Sequence, residues 1–156
     1  MTEPTLDEDP TIREYVAFRL ADQDFCIDIA AVREIRGWSP TTPMPRTPDY
    51  ISGLINLRGT VIPILDLSLR FGFDRTVTTP RHVIIVVQID DQSVGLLVDG
   101  VSDILSVSSS ALQPTPDVGA DPTRAFVAKV IASDDGRMIR LVDLGQVAPT
   151  PREVAA

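Results

Sequence analysis

A chain of 156 residues, 44% of them hydrophobic, suffices for one ordinary domain or for two very small ones around a shared core. None of its apolar runs approaches the roughly 20 residues that a membrane-spanning helix needs, so direct membrane insertion is not expected. The formal net charge is −8, half of it carried by residues 1–14 with five acids against one arginine; this balance argues against a nucleic-acid partner, which requires a dense cationic face.

In chain order, residues 1–13 read as a disordered acidic leader, unlike the basic and then apolar start of a secretory signal. Residues 15–20 and 25–29 are apolar runs separated by Ala21-Asp22-Gln23-Asp24 and predict a β-hairpin. Cys26, the one cysteine, lies in its second arm; a single thiol makes no internal disulfide and fits a reducing cytoplasm. Residues 30–35 read as one or two helical turns that place Val32 and Ile35 on one face. Four prolines within 38–48 rule out a regular helix there and predict an extended, peripheral segment. Asp49 is placed to cap a short helix over 50–53.

Asn56-Leu57-Arg58-Gly59 then forms a turn, and 60–65 a strand. Pro63 lacks the ladder donor, so this strand is expected at a sheet edge or a bulge, on an exposed rim. Asp66 serves as N-cap of a brief helical turn that stops at Gly72, and 73–81 is a connector. The continuous β-branched run 82–89 predicts a strand buried on both faces, turned by Asp90-Asp91-Gln92-Ser93 into a second strand over 94–98. Residues 106–123, rich in Ser, Pro and Asp, read as a long irregular connection. Strands near 125–132 and 137–142, joined through Asp134-Asp135-Gly136, close the fold before a polar tail, 149–156.

The two halves repeat. Setting 20–35 against 89–104 without a gap aligns Asp22 with Asp91, Gln23 with Gln92, Val32 with Val101, Glu34 with Asp103 and Ile35 with Ile104. A second block, 59–67 against 136–144, shares Gly59/Gly136, Ile62/Ile139, Asp66/Asp143 and Leu67/Leu144. A repeat too long for a solenoid unit predicts two small pseudo-symmetric β-barrels that share an apolar interface. The first barrel is expected over about 15–72, with packing from the second half, and the second over about 82–148. In the second block Ser133-Asp134-Asp135 stands where the first half has Asn56-Leu57-Arg58, so Leu57 and Arg58 are specific to the first barrel while Gly59 is architecture.

Catalysis has little to build on. His82 is the only histidine and opens a strand, and Cys26 sits in an apolar arm, so no nucleophile–base pair, metal cluster or cofactor loop is predicted. Asp28, Asp66, Asp90 and Asp91 are better explained by turns and caps than by acid–base chemistry. Arg58 has two readings: a solvated turn arginine, or a fixed fork paired with Glu34 beside Val32, Ile35 and Leu57. Leu57 has two as well, anchoring either its own core or a partner's, worth about 1.5–3 kcal/mol when buried.

Five stretches carry a family resemblance: Tyr15-Val16-Ala17-Phe18; Val32-Arg33-Glu34-Ile35-Arg36-Gly37; Gly53-Leu54-Ile55-Asn56-Leu57-Arg58-Gly59; Ile62-Pro63-Ile64-Leu65-Asp66-Leu67; and residues 94–105. Over about 14–148, in order, the chain resembles the CheW family of chemotaxis coupling proteins. The resemblance implies an all-β fold of two five-stranded SH3-like barrels around a common core, with short helices. It implies a cytoplasmic adaptor without catalysis or cofactor, recruited to membrane-associated receptor arrays, that joins the chemoreceptor cytoplasmic tip to the CheW-like regulatory domain of the histidine kinase CheA. Carried over by motif, Glu34 and Arg58 form a polar pair, with Val32, Ile35, Leu57, Val98 and Val101 lining or supporting a receptor groove. Trp38, Thr41, Thr42 and Met44 are the weaker candidates for a kinase-facing edge, and Gly59 and Pro63 are structural. A coupling protein of another receptor–kinase pathway, such as type IV pilus signalling, fits the same motifs; a small β-barrel enzyme would need a deep pocket holding two close acids.

Overall fold

Short β-branched runs build eleven strands, joined by tight turns and by longer connections over 38–50, 67–82 and 115–126, among the residues described by the computed structural model, 11–116, 121–133 and 135–149. The leader's residues 1–10 and the tail's residues 150–156 lie outside that range. β1 (Ile12–Leu20) and β2 (Gln23–Asp28) are the expected first hairpin, begun two residues before Glu14. β3 (Val32–Gly37) follows a 3-10 turn over Ile29–Ala31, then come β4 (Ile51–Leu57), β5 (Thr60–Asp66) and α1 (Leu67–Arg70). The second half supplies β6 (Val83–Ile89), β7 (Gln92–Val98), β8 (Gly100–Ser108) and β9 (Leu112–Pro114). It ends with β10 (Val127–Ala132), β11 (Met138–Val142) and α2 (Leu144–Val147).

Two sheets result, in the orders β8-β1-β2-β11-β10-β9 and β3-β6-β7-β5-β4. The first has six strands where five were expected, because the three-residue β9 joins its edge. Each sheet surrounds an apolar cluster of its own, Tyr15, Ala17, Cys26, Ile131 and Ile139 in one and Ile55, Ile62, Ile64, Ile84, Val86 and Leu97 in the other. Between them lies the shared core, where Phe18, Phe25 and Ile27 of the first sheet meet Leu65, Ile85, Leu96 and Val98 of the second, with Leu67 and Val147 from the two short helices and Phe71 just after the first.

The duplication is written into the register. Ile64 of β5 lies beside Gly95 of β7 in parallel, and its counterpart Leu141 lies beside Cys26, the counterpart of Gly95. Ile35 opposes Ile85 as Ile104 opposes Val16, and Val32 opposes Val87 as Val101 opposes Phe18, each pair of strands slipping by one residue at the same place. Asp66 and Asp143 both cap the helices that follow. The expected division into 15–72 and 82–148 does not describe the sheets, however. The hairpin of each half is inserted into the sheet of the other: β1 and β2 join β8–β11, while β6 and β7 join β3–β5. A hairpin paired on both its outer edges across the repeat buries apolar surface on both faces, which neither half could do alone.

Several local expectations are corrected. Residues 32–37 are strand, not helix, since β-branched Val32 and Ile35 find partners on β6. The extra residue between Val32 and Glu34 restores the shared face: Val32 and Ile35 oppose Val87 and Ile85, two apart on β6. The matched strand β8, within the stretch beyond residue 98, is extended for the same reason, and β9 interrupts the expected irregular connection. Residues 51–53 open β4 instead of a capped helix. Pro63 is not on an edge strand, because β5 lies between β4 and β7. Leu54, opposite Pro63, donates its N–H to the Thr42 carbonyl and accepts the Thr42 N–H at its own carbonyl, at 2.8 Å each, so Pro63 turns its nitrogen away from β4. On that side the pairing with β7 starts only at Ile64, and the absent donor costs no bond.

The proline-rich segment closes over β4 at Gly53. A Cβ built there would lie 2.5 Å from the carbonyl oxygen of Thr42 and 2.8 Å from Thr41 Oγ1, and φ is +150°. Gly53→Ala should therefore lower stability by about 2–3 kcal/mol in urea unfolding, by displacing backbone rather than a flexible tip. An unchanged midpoint would show that the segment yields freely.

Candidate functional site

Leu57 and Thr60 are the last pair of the β4–β5 hairpin, leaving Arg58 and Gly59 as a two-residue turn with φ of +51° and +88°. Both angles positive define a type I′ turn, whose twist matches that of the strands; glycine adopts it freely, and arginine seldom does. Asn56 Oδ1 accepts the Gly59 N–H at 2.8 Å. The matched hairpin is one residue longer, because Ser133 and Arg137 replace Leu57 and Thr60 as the closing pair, with Gly136 at φ +86°. By register Asn56 corresponds to Ala132, each opposing Val61 or Met138, so the ungapped alignment with Ser133 is corrected by one position.

The turn carries Arg58 over β3. Arg58 Nη2 donates to Glu34 Oε2 at 2.9 Å, with Nη1 at 3.5 Å from Oε1. Glu34 is 26% exposed at its side chain and Arg58 75%. Hydrogen bonding from Arg58, followed by the charges of Arg58 and Arg36, outweighs partial desolvation and holds the Glu34 carboxyl below the usual glutamate range. Arg58 is raised by the same pair. The pair borders a groove of about 270 Å³ whose floor includes Leu57, Ile62 and Val86. Of the two readings of Arg58, the structure has the paired one; Leu57 packs against the cluster inside its own sheet while half-buried at the groove.

The other candidates are distributed. Val32 is half-buried against the shared core, and Ile35 is 44% exposed on the free edge of the second sheet. Val101 lies on β8, the equivalent edge of the first sheet, and lines a separate groove with Arg19, Asp22 and Asp99. Val98 is fully buried in the shared core and so cannot line a groove. Trp38 packs against the cluster that includes Ile84, and its backbone N–H donates to the carbonyl of His82. Thr41 Oγ1 donates to the Ser52 carbonyl, Thr42 bridges Leu54, and the Met44 carbonyl accepts from Thr47 Oγ1.

Sequence reading missed two exposed apolar positions that the repeat could have found. Val61 and Met138, 60% and 58% exposed, are equivalent in the two hairpins, as Ile35 and Ile104 are on the two edge strands. Each half therefore presents the same pair of apolar side chains. Asp28 and Asp66 act as caps, and Asp66 is also satisfied by the Thr76 N–H and hydroxyl. Burial pushes the Cys26 thiol up to about 12, which keeps it protonated. Among the described residues no cluster of three His, Cys, Asp or Glu could hold a metal ion.

Two exchanged barrels, a surface ion pair on a strained turn and duplicated exposed apolar positions define a scaffold whose distinctive chemistry lies on its surface. The CheW-like domain family is matched over residues 14–151. The chemotaxis protein CheW of Rhizobium meliloti is 56% identical over 144 residues, 92% of each chain. The probable chemotaxis protein CheW of Rhizobium etli is 53% identical over 132 residues, 85% of this chain and 84% of its own. The crystal structure of the scaffolding protein TtCheW from Thermoanaerobacter tengcongensis is similar with a TM-score of 0.77 at 36% identity, covering 84% of this chain and 88% of that one. The chain belongs to the CheW-like family, and its role is that of a chemotaxis adaptor.

Proposed function

We propose that this adaptor joins the cytoplasmic tip of chemoreceptors to the CheW-like regulatory domain of the histidine kinase CheA, in the cytoplasm and without catalysis of its own. The observation that carries this reading is the preformed Glu34–Arg58 pair, set between half-buried Leu57 and exposed Ile35 in the first half, where the second half has Asp103 and Asp135. A fixed fork flanked by apolar side chains suits a helix that presents both a polar group and a hydrophobic stripe, which is the chemistry of a receptor tip. Val32, Ile35, Leu57 and Val101 would contact or edge that helix, with Val98 beneath them.

The kinase would use a separate surface, for which Trp38, Thr41, Thr42 and Met44 are the candidates. Their segment is bound to β4 through Thr42 and Thr41, so it forms a fixed edge. Two surfaces on one rigid body give a geometric mechanism: the adaptor holds receptor and kinase in one array, and a small receptor shift biases the kinase between states. Co-purification with a receptor-tip fragment and, separately, with a CheA regulatory domain tests this. Capture of both is expected, and capture of neither would remove the coupling reading.

A further inference from the structure

We propose that Asn56 is the positioning residue of the Glu34–Arg58 pair: its side-chain bond to the Gly59 N–H closes the turn around Arg58 and fixes the left-handed backbone from which the guanidinium reaches Glu34. In the type I′ geometry of this two-residue turn both central positions take positive φ, and an arginine in that region must be held there by its surroundings. Gly59 supplies one of the two angles without strain. For the other, the strand pair Leu57–Thr60 fixes the ends of the turn, and Asn56 Oδ1 bonds across it at 2.8 Å.

The duplicated hairpin shows what happens otherwise. Its longer turn gives the Gly136 N–H to the backbone carbonyl of Ser133 at 3.1 Å, and the register equivalent of Asn56 is Ala132, which has no acceptor. Among the described residues no ion pair joins that turn to Asp103, the edge-strand counterpart of Glu34. Arg137 instead pairs with Asp24 on the neighbouring strand at 3.2 Å. A side-chain acceptor before the turn therefore occurs in the hairpin that presents the ion pair, and its removal frees the turn to relax toward negative φ at residue 58. That relaxation swings the guanidinium off Glu34 while leaving the strands paired below.

The test follows the Glu34 carboxyl by carbon NMR through a pH titration of the full chain, in the wild type, Asn56→Ala, Asn56→Asp and Arg58→Ala. The wild type titrates below the usual glutamate range, because Arg58 favours the ionised form, and Arg58→Ala marks the position reached when the pair is absent. Asn56→Ala is expected to move Glu34 most of the way to that position with a melting temperature changed by no more than about 3 °C. Asn56→Asp retains the acceptor oxygen and should bring Glu34 back below its Asn56→Ala position, short of wild type because the added carboxylate opposes ionisation of Glu34. A wild-type Glu34 titration in Asn56→Ala, or an Asn56→Asp titration no lower than that of Asn56→Ala, would overturn the proposal. The role in partner binding rests on the function proposed above, and a receptor-tip pull-down separates the two. Binding should weaken roughly tenfold in Asn56→Ala. A displaced Glu34 titration with undiminished binding would leave Asn56 as the positioning residue and remove the pair from the receptor site.

Discussion

Replacing Arg58 by asparagine should abolish most receptor-tip binding while leaving the fold as stable as before. Arg58 sits at a φ of +51° in a turn whose first central position favours asparagine, so the substitution relieves backbone strain at the same time as it removes the fork to Glu34. The pair is largely solvated, with Arg58 75% exposed, so its loss costs the fold little. At an interface the balance reverses. A partner that covers the pair removes water from a charge already held in place, and an arginine in that position contributes far more than the same group does to folding. The expected result is a melting temperature within about 3 °C of wild type, or slightly higher, with affinity for the receptor tip reduced roughly thirtyfold or more. Arg58→Lys tests the same point from the other side: it keeps the charge and loses the planar fork, and it should recover only part of the binding. A parallel loss of stability and binding in Arg58→Asn would mean that the arginine serves the turn.

How much of this could be read before the structure depends on which force sets each feature. The hairpins around Asp22 and Asp91 were legible because short apolar, β-branched runs set strands and the polar residues between them set a turn, and both are local. The cap at Asp66 was legible for the same reason, and the repeat set Asp143 against it. Residues 32–37 and 100–108 were not. Each alternates charged or small residues with isolated Val and Ile, a pattern that suits a short helix as well as a strand, and the decision is made by β6 and β1 in the other half of the chain. Pro63 was misplaced because its rule concerns the neighbouring strand, which begins one residue later. At the site, Glu34 and Arg58 were brought together by the family motif, whereas their distance, the type I′ turn and the role of Asn56 depend on a one-residue difference between two hairpins. The alignment without gaps hid that difference. Val98 was named by the family motif as lining or supporting the groove; its strand is buried on both faces, and its own face is the shared core.

The exchange of hairpins predicts that neither half of this chain folds alone and that the two halves fold together. Dividing the chain after Val77, 84% exposed in the connector, separates β1–β5 from β6–β11 and keeps the Thr76 bonds that satisfy Asp66. Within fragment 1–77 the pairings that survive are the hairpins β1–β2 and β4–β5; within 78–156 they are β6–β7 and the β9–β10–β11 ladder. The ladders β1–β8, β3–β6, β5–β7 and β2–β11 all cross the cut. So does the clamp of Arg70, which stacks over Tyr50 and Phe126 and donates to the carbonyls of Gln146 and Val147. Isolated hairpins are marginal in water, and each fragment would expose its half of the shared core, Phe18, Phe25 and Leu65 in one, Ile85, Leu96 and Val98 in the other. Each fragment alone should therefore give the circular dichroism of an unfolded chain, and equimolar mixing should restore the β spectrum in a one-to-one complex. The connector contributes only a loop-closure term, on the order of a few kcal/mol, which concentration can replace. A first fragment that folds by itself would show that its own strands close a barrel without the second hairpin, and the sheet exchange would then be a consequence of assembly rather than its cause.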